Sequence, residues 1–313
     1  MSLSALRLWG ILVLAALVTQ PATMASAGTV QTHHPAGVQA ASTTTTTVGG
    51  TTIRRKGRAR RRHAPPGGVY ARNAVVIDPS TDQVLYAKNA DSVVPIASLS
   101  KLMTVMVVLE QKPDLDRWIA ISHDDWQGVG RTHLRPGERA SMRDLLHMAL
   151  MCSDNCATRA LARESGIAPD DFIGRMNAKC AELGLEHTRF VEVTGLDEHN
   201  VSSAGDCAHM LLAAAKIPTI QDIMQTREYA FSTSRRSINI PNTNRLLYGR
   251  YEVLGGKTGF ISESGYCFAT WLHTDTRDLV AVVLGAPTAA TRFADVMRLV
   301  QRTTTPSFAP TDR

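Results

Sequence analysis

The chain has 313 residues, of which 44% are hydrophobic and 20% charged, an ordinary globular composition long enough for one large domain or two smaller ones. Its net charge is +6, but residues 28–68 hold Arg54, Arg55, Lys56, Arg58, Arg60, Arg61 and Arg62 and no acid. The excess charge therefore sits in one stretch and the remainder is close to neutral, which excludes a basic body built for nucleic acid.

In chain order, Arg7, the apolar run Leu8 to Val18 and Ala25-Ser26-Ala27 form the pattern of a secretory signal over residues 1–27, cut after Ala27, and imply export to the periplasm. The apolar run is about a dozen residues, short of the ~20 that a spanning helix needs. Residues 28–68 combine Thr43 to Thr47, several glycines, Pro65-Pro66 and the arginine run. They are expected to be a disordered basic linker, at most attracted peripherally to anionic lipid headgroups or wall polymers, and more simply a solvated tether. The folded domain is placed at 69–304, with a tail over 305–313.

Tyr70 to Ile77 and Gln83 to Lys88 read as a β-hairpin around an Asp-, Pro- and Ser-rich turn. After Pro95, a helix carries Ser98 and Lys101 and continues through an apolar run to Leu109. Asp116 to Ser122 reads as a short strand and Trp126 to Ala140 as loop. Ser141 and Asp144 have capping-box spacing before a helix that ends at Met151. Ala157 to Glu164, Pro169 to Leu183 and Ser203 to Ala215 are expected helices, and Phe190 to Asp197 an extended segment. Glu228 to Ile240 alternates and reads as one strand. Leu254 to Phe260, Tyr266 to His273 and Asp278 to Leu284 are further strands, and Thr288 to Gln301 a final helix. Strands at both ends of the domain with helices between them predict an α+β fold: one antiparallel sheet with a helical subdomain.

Five cysteines, at 152, 156, 180, 207 and 267, leave at least one thiol unpaired. Cys152 and Cys156 could bridge only by distorting a helix; Cys180 and Cys207 are better placed for bridging; the simplest reading is buried small hydrophobes. No histidine–cysteine spacing resembles a zinc site, and no metal, nucleotide or flavin signature is present.

Three short motifs carry chemistry. Ser98-x-x-Lys101 puts a hydroxyl and an amine on one helix face, where a neutral amine can take the hydroxyl proton and make Ser98 a nucleophile. Ser153-Asp154-Asn155 lies between two helices. Lys257-Thr258-Gly259 lies in a strand. Singly, each has a simpler reading: Ser98 and Ser153-Asp154-Asn155 as helix caps, Lys101 as a first-turn surface lysine, Lys257 as a strand-edge charge. Their order and matching contexts make the set specific.

From about Val69 to Leu284 the chain resembles low-molecular-mass penicillin-binding proteins of the D-alanyl-D-alanine carboxypeptidase and endopeptidase family, whose motif set this is. The stretches at 96–104, 194–197 and 257–265 carry the likeness. Asn242-Thr243-Asn244-Arg245-Leu246-Leu247 and Leu134-Arg135-Pro136-Gly137 are most similar to the endopeptidase branch. The resemblance implies a β-lactamase/transpeptidase-like fold, no cofactor, peptidoglycan peptides as substrates and β-lactams as covalent inhibitors. It makes Ser98 the nucleophile and Lys101 the general base, its pKa lowered by burial and by the charge of Lys257. Ser153 would bridge the two lysines and relay a proton. Asn155 would bind the substrate amide or hold Lys101, Lys257 and Thr258 would line the substrate strand, and Gly259 would admit the peptide closely. A β-lactamase is disfavoured because no glutamate followed by Leu-Asn lies between the second and third motifs. A non-catalytic wall-binding protein is disfavoured by the intact motifs. The chain ends about thirty residues after the last strand without the β domain and amphipathic helix of many carboxypeptidases in the family, which again points to the endopeptidase branch.

Overall fold

The computed structural model describes residues 46–48, 51–53 and 68–304. The expected signal at 1–27, most of the expected linker and the tail at 305–313 lie outside the described residues. Within the linker, strands β1 (Thr46–Val48) and β2 (Thr51–Ile53) pair antiparallel with Val48 opposite Thr51.

The larger unit begins with β3 (Asn73–Asp78) and β4 (Gln83–Lys88), the expected hairpin. Its turn is closed by the Asp78 carboxylate, which accepts from Ser80 N at 2.9 Å and Ser80 Oγ at 2.5 Å. β5 (Val94–Pro95) leads into a 3₁₀ turn, Ala97–Ser100, and then α1 (Lys101–Glu110). β6 (Trp118–Ala120) pairs with β7 (Arg139–Ser141). Between them lies the one-turn α2 (His123–Trp126), capped reciprocally by Ser122 and Asp125.

α3 (Met142–Met151) starts on the predicted capping box: Ser141 Oγ accepts from Asp144 N and the Asp144 carboxylate from Ser141 N, both at 3.1 Å. α4 (Asn155–Arg163) and α5 (Pro169–Glu182) follow as expected. β8 (Val201–Ser202) pairs with β5, and α6 (Ala204–Ala215) comes next. α7 (Pro218–Gln225) is a helix that the sequence reading passed over, opened by Pro218 at its first position.

The stretch 228–240 is two strands rather than one. β9 (Glu228–Ser232) and β10 (Ser237–Pro241) form a hairpin. Thr233 Oγ1 accepts from Arg235 N at 3.3 Å and Arg236 N at 3.1 Å, so a hydroxyl-stabilised turn interrupts the alternation. β11 (Glu252–Ile261), β12 (Gly265–His273) and β13 (Asp278–Ala286) then form a meander, closed by α8 (Ala289–Thr304).

The main sheet is antiparallel throughout, in the order β11-β12-β13-β3-β4. The two ends of the domain meet where β13 pairs with β3, Val282 opposite Val75. Both faces are buried. Val75, Ile77, Val280, Val282 and Leu284 face a core shared with α1, α3, α4 and α6. Their neighbours Ala74, Val76, Leu279, Ala281 and Val283 face a second core under Phe293, Val296 and Leu299 of α8. The period of two is thus apolar on both sides, as a sheet covered on two faces requires. β11 stands at the sheet edge.

Candidate active site

α1 is buried nearly all round, from Lys101 to Val108. Lys101 is 0% exposed, yet Ser98, one turn earlier, is partly open to solvent. Lys101 Nζ lies 3.0 Å from Ser98 Oγ, 2.6 Å from Asn155 Oδ1 and 2.5 Å from the Thr194 carbonyl. A neutral amine has two N–H bonds and one lone pair. With two pure acceptors fixed at Asn155 and Thr194, the lone pair is left for the Ser98 hydroxyl. Asn155 is itself oriented by Nδ2 donating to the Val129 carbonyl at 3.0 Å.

Burial pulls Lys101 down from the ordinary lysine value to about 7, against the opposing charges of Glu192 and Asp154. Lys257 is 1% exposed. Its amine is also held well below the ordinary value, by burial first and by the charge of Lys101 second. Repulsion between two buried amines is mutual, so it disfavours both being charged at once.

Lys257 Nζ donates to Ser153 Oγ at 2.8 Å and to the Thr258 carbonyl at 2.8 Å. Ser153 is thus joined to Lys257, with no hydrogen bond to Lys101; the expected bridge is made on one side. Ser153 has φ 63° and Ala97 has φ 49°, left-handed conformations that cost non-glycine residues about 1–2 kcal/mol each. The first aims the Ser153 hydroxyl from the α3–α4 junction into the cleft, and the second precedes Ser98. Asp154 is structural. It caps α4 through Ala157 N at 3.0 Å and holds the 128–136 loop through Thr132 Oγ1 at 2.8 Å and His133 N at 3.1 Å.

Gly259 on β11 lies against the serine turn. A Cβ there would sit 3.0 Å from both the Ile96 carbonyl and Ser98 N. Thr258 Oγ1 pairs with Thr243 Oγ1 at 2.8 Å, and Thr243 N and Oγ1 both donate to the Met151 carbonyl at 2.9 Å. All seven residues singled out from sequence (Ser98, Lys101, Ser153, Asn155, Lys257, Thr258 and Gly259) therefore converge on one cleft between α1, the α3–α4 junction and the β11 edge.

Four residues of the site were not assigned from sequence. Thr243 ties the second motif's junction to the third motif's strand. Arg292 on α8 donates to the Gly259 carbonyl at 3.1 Å and brings a buried cation to the substrate strand. Thr194 supplies the carbonyl that holds Lys101. Glu192 gathers the loop around that carbonyl. None shares a local pattern with the motifs; the available signals were the Thr194-Gly195-Leu196-Asp197 stretch and the Asn242-Thr243-Asn244 loop, both part of the family resemblance.

Comparison with known proteins agrees with this geometry. A family model described as D-alanyl-D-alanine carboxypeptidase, peptidase S11, matches residues 59–288. A D-alanyl-D-alanine endopeptidase of Pseudomonas aeruginosa is 40% identical over 233 residues, covering 72% of this chain and 75% of that one. The D-alanyl-D-alanine endopeptidase of Escherichia coli is 37% identical over the same shares. The crystal structure of the Streptomyces K15 DD-transpeptidase superposes with a TM-score of 0.72 at 27% identity, over 75% of this chain and 97% of that chain. With its α+β fold and its buried serine–lysine pair, the chain belongs to the D-alanyl-D-alanine carboxypeptidase family, peptidase S11.

Proposed function

We propose that the protein is an exported serine DD-peptidase that cuts D-alanyl bonds of peptidoglycan by way of an acyl-enzyme on Ser98, most specifically the D-alanyl cross-bridge between two stem peptides. The observation that carries this is the buried Lys101 amine, 3.0 Å from Ser98 Oγ and pinned by two acceptors. Ser98 Oγ bonds to the carbonyl carbon as its proton passes to Lys101 Nζ. Backbone N–H groups of Ser98 and of the strand just after Gly259 receive the developing oxyanion. As the C–N bond breaks, Ser153, fixed by Lys257 Nζ, gives its hydroxyl proton to the leaving amine and takes the proton held by Lys101 in its place, which returns Lys101 to the neutral amine. Water then attacks the ester, with Lys101 again taking the proton, and Ser98 is regenerated. Lys257 and Arg292 attract the substrate carboxylate, and Asn155 and Thr258 line its path beside the β11 edge.

The endopeptidase choice is supported by the relatives at 40% and 37% identity that carry that name, against 32% for a Bacillus subtilis carboxypeptidase. β-Lactams acylate the same serine and leave slowly. Glu192, the glutamate of the loop after α5, has its carboxylate occupied by the N–H groups of Thr194, Gly195 and Leu196, so it is not directed at a hydrolytic water. Export through the segment 1–27 puts the enzyme in the periplasm with its substrate.

Incubation with cross-linked muropeptide dimers and with a pentapeptide monomer tests the reading. Cleavage of dimers to monomers by wild type, with none by Ser98→Ala, is expected. Release of D-alanine from the monomer with dimers untouched would reject the endopeptidase assignment. Absence of a Ser98-dependent penicillin adduct would reject the catalytic one.

A further inference from the structure

The loop 191–200 is built inward around one carboxylate. Glu192 Oε2 accepts from Thr194 N at 2.7 Å and Thr194 Oγ1 at 2.6 Å, and Oε1 accepts from Gly195 N, from Leu196 N at 3.0 Å and from Asn200 Nδ2 at 3.0 Å. Asn200 closes the ring from the other side. Its Oδ1 accepts from Val191 N at 2.8 Å and Glu192 N at 3.1 Å, and its Nδ2 also reaches Ser100 Oγ on the serine turn at 3.2 Å. The clasp sits hard against that turn: a Cβ on Gly195 would lie 2.0 Å from the Ala97 carbonyl. Within it, the Thr194 carbonyl has one orientation, 2.5 Å from Lys101 Nζ.

We propose that Glu192 is a positioning residue for the serine–lysine pair: its carboxylate folds residues 192–200 into the clasp that delivers the Thr194 carbonyl to Lys101, and its negative charge faces that amine across the loop. The role rests on the catalytic reading of Ser98 and Lys101 and adds to it a residue outside the three motifs.

The groups that face Lys101 are few. Glu192 from this loop and Asp154 at the α4 N-cap favour the charged amine, while Cys152 at the end of α3 is an uncharged thiol at neutral pH. Arg159 on α4 opposes the charged amine, and Lys257 on β11 is coupled to it from the sheet side. Glu192 is the first of these opposing influences against burial. It therefore keeps a fully buried amine from losing its proton affinity altogether, which a base that must accept a proton and return it requires. One side chain thus fixes an acceptor for the amine and moderates its desolvation.

The test is a titration of the full chain labelled at lysine Cε, with the Lys101 resonance assigned by its loss in Lys101→Met. In Glu192→Gln the Lys101 midpoint is expected at least about half a pH unit below wild type, because an opposing charge is removed while the size is kept. In Glu192→Asp the charge stays but the shorter arm cannot reach the five donors. There the midpoint is expected to stay near wild type while the plateau rate of penicillin acylation falls at least about tenfold. An unchanged midpoint in Glu192→Gln, or wild-type acylation in Glu192→Asp, overturns the proposal. Should Glu192→Gln fail to fold, the acylation rate of Glu192→Asp still decides the positioning role. Because the titration reads the amine and not the reaction, it reports on Glu192 even if Ser98 takes no penicillin, an outcome that would instead reject the catalytic reading.

Discussion

In the proposed mechanism, burial is what turns Lys101 from an ordinary lysine into a base. With its amine at about 7, the neutral form that can accept the Ser98 proton grows as pH rises through that value. The acylation rate with a penicillin should therefore climb through about pH 7 and level off above it, with Lys101 the group responsible. Lys101→Arg, which cannot deprotonate, should lower acylation by about 10³-fold or more, within the range lost with a general base; a rate within tenfold of wild type would count against the assignment. The same burial carries a stability cost while the amine is protonated. Between about pH 7 and the ordinary lysine value, the unfolded chain holds a proton on Lys101 that the folded chain lacks, so stability rises with pH across that window and the penalty is full below it. Urea midpoints at pH 7 and pH 9 should show wild type gaining roughly 2–3 kcal/mol more than Lys101→Met on going to the higher pH. Equal gains would mean that the buried amine keeps its proton.

At the scale of elements, the site depends on two backbones meeting the serine turn from opposite sides. Gly195 has φ +81° and no room for a Cβ beside the Ala97 carbonyl. Gly195→Ala should cost at least about 2 kcal/mol, read by denaturant melting, because both the conformation and the close approach are lost. Gly259 has no such φ requirement, but a methyl there would press on the Ile96 carbonyl and Ser98 N. Gly259→Ala should keep most of its stability and lose more than about tenfold in acylation, since the β11 edge must back away from the nucleophile. If both variants lost stability alike and acylated alike per folded molecule, the two contacts would have no separate roles. The capping box of α3 and the turn that closes the β3–β4 hairpin were legible beforehand because both are interactions within four residues. The β9–β10 turn was not, since alternation continues through it and a single Thr233 hydroxyl makes the break.

At the scale of the whole molecule, a sheet buried on both faces holds the helical region and the β11 edge in register. Cohesion comes from the two apolar cores and not from cross-links: all five cysteines are free, four of them buried. Burial pushes the Cys152, Cys156 and Cys180 thiols up to about 12, so they are poor thiolates at neutral pH. A reductant should leave the melting temperature unchanged, and a thiol reagent should react slowly with the native protein, reaching Cys152 first as the least buried. A reductant-induced drop of several degrees would show a disulfide carrying stability.

Sequence by itself determined most helices and strands, the α3 capping box and the seven motif residues, because periodicity and capping are local and the motifs are short. Tertiary structure alone decided that β13 pairs with β3, that Lys257 reaches Ser153 and not Lys101, and that Thr194, Thr243, Glu192 and Arg292 belong to the site. The sheet pairing joins residues as many as 211 positions apart and the Lys257–Ser153 contact residues 104 apart, and their free energy comes from closing the core and desolvating the amines. No local pattern encodes it: the acceptors that hold a buried charge are chosen by whatever backbone the fold brings beside it.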